Sequence, residues 1–75
     1  MHFYSLDQLC PGQTAHIKRL HLGGAIGQRL SELGLIEGTP VSCVHRSPAG
    51  DPTAYHFRGT VIALRRCDSR QIEVS

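Results

Sequence analysis

Hydrophobic and polar positions alternate along most of this chain and repeat at helical spacing in one place. "QTAHIKRL" puts Ala15 and Ile17 on one face and His16 and Lys18 on the other, which predicts a first strand. "IEGTPVSCVHR" turns at Glu37-Gly38 and enters a second, with Val41 and Cys43 on one face. "TAYHFR" sets Tyr55 and Phe57 against His56 and Arg58. "TVIALRR" reads as a fourth strand and "QIEV" as a fifth, with Ile72 and Val74 inward. Arg65 and Arg66 are consecutive in that fourth run, so they are expected on opposite faces, at most one pointing over a barrel end. The helical exception is "GGAIGQRLSELGL", where Ile26, Leu30 and Leu33 fall at i, i+4 and i+7. Ile26 and Leu30 are expected to face the core, and Arg29 and Glu32 to face outward.

Breakers divide these runs. Ser5 and Gln8 have capping-box spacing, which predicts a single N-terminal helical turn. Pro11-Gly12 suits the centre of a type II turn. Gly34 is placed to end the helix in a left-handed conformation, with Leu35 folding back on Leu30. About ten residues is too short to be helical alone, so this helix must dock on a sheet. "SPAGDP" is a loop by composition, "RG" joins the strands that follow it, and "CDSR" is a short turn. The expected architecture is mainly β: a small barrel of about five strands with one inserted α-helix and a short N-terminal helical turn.

Composition narrows the function. A chain of 75 residues reads as a single domain, 1–75, and at this size buries only about 60% of its unfolded surface, leaving little room for a deep enclosed site. Eight Lys and Arg against six Asp and Glu give a net charge of +2, too slight to argue for nucleic acid or an anionic membrane. No apolar run approaches the roughly 20 residues of a membrane span. "MHFYSLDQL" lacks the basic and apolar regions of a signal peptide, so a cytoplasmic location without membrane insertion is expected. The odd set Cys10, Cys43 and Cys67 reads as reduced thiols.

Catalytic signals are missing from the sequence. There is no nucleophile elbow, no paired-histidine zinc helix and no Ser/His/Asp spacing. "LGGAIGQRL" imitates half of a phosphate loop, but Leu22 stands at the first glycine of the dinucleotide pattern and Gln28 where a Walker lysine belongs. It reads as a flexible lead-in to the helix, and no enzyme is predicted. Metal binding has weak candidates in Cys43 and His45, two apart on one strand, with His56 and Cys67 on neighbours. None of the familiar ligand spacings is present, and Cys43 stands where a core residue belongs. Loose divalent binding by surface histidines is the stronger form of this reading. Nucleic-acid stacking would need exposed aromatics, and of Phe3, Tyr4, Tyr55 and Phe57 the last two are needed inside. What remains is a surface for another protein, with a loop stiffened by Pro48 and Pro52.

"LDQLCPGQ" at Leu6 to Gln13, "RLSELGLIEGTPV" at Arg29 to Val41, "SPAGDP" and "RGTVIALRRCDSRQIEV" together resemble the FeoA family, the ferrous-iron transport protein A family of bacteria. The resemblance runs from about Leu6 to Val74 and departs from the usual pattern at Glu37, Ser47 and Ala49. It implies an SH3-like barrel and a non-enzymatic accessory of the FeoB-type ferrous-iron transporter, contacting that transporter's cytoplasmic GTP-binding region. No cofactor is required by this reading. The candidate contacts are Arg29, Glu32 and Leu33 at the helix, Pro48, Gly50 and Asp51 in the loop, and Arg65 with Arg66. The alternative is a divalent-metal-binding or metal-responsive module built on Cys43 and His45.

Overall fold

The computed structural model describes residues 4–75, so Phe3 lies outside it. Six strands and two helices form in the order β1 (Tyr4–Ser5), a 3-10 turn (Leu6–Gln8), β2 (Thr14–Leu20), α1 (Gly24–Glu32), β3 (Pro40–Arg46), β4 (Thr53–Phe57), β5 (Thr60–Leu64), α2 (Arg66–Ser69) and β6 (Ile72–Val74). The strands run β1-β6-β2-β3-β4-β5, each antiparallel to its neighbours. β1 is one strand more than the periodicity predicts, because two residues are too few to show alternation.

β2 serves two sheets. Its first half, Thr14 to His16, pairs with β3, whereas Ile17 to Leu20 pairs with β6. The register shifts between Ile17 and Arg19, where the strand bends from one sheet to the other. Side chains alternate across this bend as predicted: Ala15 and Ile17 are buried, as are Val41, Cys43, Tyr55, Phe57, Ile72 and Val74. Leu6 opens the 3-10 turn, Leu9 follows it, and both close the same core. The turn carries its predicted box, with the Ser5 amide donating to Gln8 Oε1 at 3.1 Å. Arg46 holds it down from β3, its Nη2 donating to the Asp7 and Leu9 carbonyls at 3.2 and 2.8 Å.

α1 ends as its sequence predicts. The Leu35 amide donates to the Leu30 carbonyl at 2.9 Å and the Gly34 amide to that of Ser31 at 3.0 Å, with both leucines buried. Gly34 has φ +101°, a conformation that penalises any Cβ. The helix is rotated from the predicted orientation, however. Its buried edge is Gly27 and Leu30, while Ile26 is 37% exposed. A Cβ on Gly27 would lie 2.6 Å from the Leu22 carbonyl oxygen, so the preceding chain closes against the glycine and turns Ile26 to the rim.

Two further expectations change. Arg65 and Arg66 are not on a strand: Arg65 caps α2 and Arg66 opens it, and both are exposed. "CDSR" accordingly forms most of a helical turn, with Ser69 buried beneath it. The cause lies in the loop, where Asp51 Oδ1 accepts the Arg66 amide at 2.9 Å and starts the turn.

Candidate protein-interaction surface

The β4-β5 hairpin organises the predicted contact residues into two groups. At its turn, Arg58 and Gly59 both have positive φ, 48° and 75°, and make a two-residue connection. Arg58 reaches back to α1, its Nε donating to the Gly34 carbonyl at 3.2 Å. The Thr39 hydroxyl donates to the same oxygen at 2.9 Å. A cation at a helix C-terminus also complements the helix dipole. Next to this end lie Arg29 and Glu32, exposed as predicted, and Leu33, which is also exposed although it belongs to the predicted apolar stripe. Glu32 accepts a long bond from Gln28 at 3.4 Å, and the Arg29 side chain makes no hydrogen bond or ion pair with a described residue. Leu33 is 38% and Ile36 48% exposed, so the charges share this end with exposed apolar side chains, while Ile26 is exposed in the first turn of α1.

The other end is the loop. Gly50 closes it by donating to the Ser47 carbonyl at 2.8 Å, and Ser47 donates to that of Pro52 at 3.2 Å. Pro48 is exposed at the loop's outer side, but Asp51 is engaged with α2. The structure thus brings Asp51 together with Arg66 and Arg65 and separates this group from Arg29, Glu32 and Leu33 by the length of the hairpin. Sequence reasoning missed the bond, since nothing local marks a contact between residues 15 apart.

The metal candidates are split. β3 shifts register between Cys43, opposite Tyr55, and His45, opposite Ala54. That bulge sends Cys43 into the core and His45 to solvent. Burial also raises the Cys43 thiol pKa above its ordinary value, with Arg46 opposing in part, which disfavours the thiolate a metal needs. No group of three or more metal-ligating side chains occurs among the described residues. His56 and Cys67 are both exposed and do not complete a set with the buried Cys43.

Sequence reasoning also missed a cleft of about 310 Å³ between β1, β6 and α2, lined by Tyr4, Ser5, Gln8, His21, Arg70 and Glu73. His21 Nε2 lies 2.9 Å from Glu73 Oε1, and Lys18 Nζ 3.9 Å from Glu73 Oε2.

Residues 4–75 match the model of the FeoA domain. The chain belongs to the FeoA family. A fusion protein of Porphyromonas gingivalis, Fe(2+) transport protein A joined to Fe(2+) transporter FeoB, is 33% identical over 69 residues. The match covers 92% of this chain and 8% of that protein, so the chain spans a small part of its curated relative. Among solved FeoA structures, iron(II) transport protein A of Clostridium thermocellum is 34% identical with a TM-score of 0.86, over 95% of this chain and 44% of that one. FeoA of Stenotrophomonas maltophilia, described as an SH3 domain protein and solved in complex with zinc, is 29% identical with a TM-score of 0.82. There the match covers 95% of this chain and 88% of the other. The fold here is therefore the SH3-like FeoA fold, mainly β with short helices. No helix among the described residues is long and apolar enough to cross a membrane.

Proposed function

We propose that this chain is a non-enzymatic cytoplasmic accessory of bacterial ferrous-iron uptake that binds a FeoB-type transporter at its cytoplasmic GTP-binding region and modulates it. The observation that carries this reading is the Porphyromonas relative, in which an FeoA-type protein and the FeoB transporter are one chain. Covalent fusion keeps two partners at high effective concentration, which is useful when their contact is weak. The Stenotrophomonas relative, described as a candidate activating factor of ferrous-iron transport, points the same way. The exposed charges and apolar side chains at the end of α1 suit a protein contact, and the loop with Arg65 and Arg66 supplies a second patch. In this reading the chain needs no cofactor, and a divalent ion binds only loosely at exposed histidines such as His45 and His56.

An amide NMR titration with the transporter's soluble cytoplasmic domain, with and without guanine nucleotide, tests the proposal. Shifts at Arg29, Glu32 and Leu33 and at Gly50, Asp51, Arg65 and Arg66 are expected, and Arg29→Ala should weaken them without lowering Tm. No shift in any nucleotide state would overturn the assignment of that region as the partner.

A further inference from the structure

β5 ends the sheet order and pairs only with β4. The two-residue turn fixes the hydrogen-bonding phase of the hairpin. Thr60, Ile62 and Leu64 exchange ladder bonds with Phe57, Tyr55 and Thr53, so the N–H and C=O groups of Val61 and Ala63 point away from β4. Among the described residues no backbone group meets them. Exposed edges in proteins are commonly guarded by a charge, a proline or a bulge. Thr60–Leu64 has none of these: it is "TVIAL", in unbroken register, with Val61 58% exposed.

Charge frames this edge. Arg58 stands before it and Arg65 and Arg66 after it, roughly 17 Å apart at the strand rise, and residues 52–67 contain no Asp or Glu. The terminal nitrogens of Arg58 bond to no described residue. The acids that bound this stretch are Asp51, occupied by the Arg66 amide, and Asp68, which lies in α2 two residues after Arg66. A second copy of this chain is a poor occupant. Antiparallel β5-β5 pairing would set Arg58 of one copy beside Arg65 and Arg66 of the other, like charge against like.

We propose that the free edge of β5 receives an extended segment of a partner protein, about five residues long, with β-branched or small residues at its centre and acidic side chains at both ends. Main-chain bonds to Val61 and Ala63 supply the pairing, and the arginines set the choice of segment. This rests on the protein-partner reading above and deepens it, since β5 is the element that runs between the two candidate patches. One added strand buries less than the roughly 1,200 Å² of a stable interface, so the contact alone is weak and salt-sensitive.

The test is an amide NMR and hydrogen-exchange titration of the full chain with a blocked EETVTVEE peptide and its KKTVTVKK counterpart. Shifts and slowed exchange at Val61 and Ala63 with the acidic peptide alone, fading at high salt, are the expected result. Ala63→Pro removes an outward N–H that the β4 ladder does not use and should abolish binding. Should that variant fold poorly, the surface pair R65E and R66E should weaken binding by roughly tenfold while Tm holds. Equal response to both peptides, shifts elsewhere, or unchanged binding by the charge-reversed pair would overturn the proposal. A transporter domain that binds wild type and a folded Ala63→Pro equally would overturn the edge and leave the accessory reading in place. Capture of the acidic peptide at β5 without any transporter contact would do the reverse.

Discussion

The two ends of the β4-β5 hairpin have similar residue chemistry and different occupations. Each has a loop, a glycine and an arginine. At the loop end the backbone is tied down, with Asp51 on the Arg66 amide and Gly50 on the Ser47 carbonyl, while the buried Ser47 hydroxyl has no partner among the described residues. At the turn end the backbone is equally well satisfied, through Arg58 and Thr39 on Gly34, but the side chains around it are not covered. Leu33 and Ile36 each leave more than a third of their surface in solvent. The loop end therefore offers a partner a preformed charged shape, and the helix end offers apolar area, the larger source of binding energy.

The sharpest way to break this contrast is Leu30→Ala. Leu30 is the buried anchor of α1, so truncation should cost about 2–5 kcal/mol and lower Tm by roughly 10 °C or more. A small loss would mean that the helix end is not held by its core edge. Next come two substitutions expected to be nearly equal. Gly34→Ala should cost about 1 kcal/mol from its φ, and its new Cβ, 2.5 Å from Arg58 Cδ, must also push that side chain aside. Asp51→Ala should cost about 1 kcal/mol by removing the acceptor for the Arg66 amide. Melting curves decide both, and an unchanged Tm for Asp51→Ala would return that carboxylate to the list of free contacts. The smallest effect under ordinary conditions is alkaline. Burial raises the pKa of Cys43 above 9.0 and of Tyr55 above 10.0, so the folded state keeps protons that the unfolded state releases. Their contribution is complete below about pH 9 and is lost as pH rises through the folded pKa values. Tm should fall from pH 9 upward, and Cys43→Ala should lose the part of that fall that begins near pH 9.

Much of the fold was legible because burial in this chain follows simple periods. Tyr55 with Phe57, and Ile72 with Val74, alternate cleanly and are buried as alternation demands. The Gly34 ending of α1 was equally readable, since glycine and the following leucine are local signals. Two departures have physical causes that no local window contains. Ile26 was displaced from the core by the close approach of Leu22 to Gly27, a contact between backbone and a missing side chain. Arg65 and Arg66 left their strand because a carboxylate from another loop starts a helix there. Of the candidate contact residues, the outward placement of Arg29 and Glu32 could be read from patterning, whereas the exposure of Leu33 and of both Arg65 and Arg66, and the division of the set between two ends of a hairpin, could not. His45 shows the same limit: a two-residue spacing from Cys43 promises one shared face only while the strand has no bulge.

The strand order also dictates when the molecule can become whole. β6 lies between β1 and β2, so the final strand fills the gap between two that precede it by more than fifty residues. Until Ile72 and Val74 arrive, Leu6 and Ile17 lack their cover, and β1 has no strand to pair with. On a ribosome, residues 14 to 64 could form the β2-β3-β4-β5 sheet early, from neighbours close in sequence, yet the core would stay open. Closure then waits on long-range contacts, whose entropic cost slows folding relative to local ones. The interval leaves the β2 edge of an unfinished sheet open to stray pairing until the segment around Ile72 covers it.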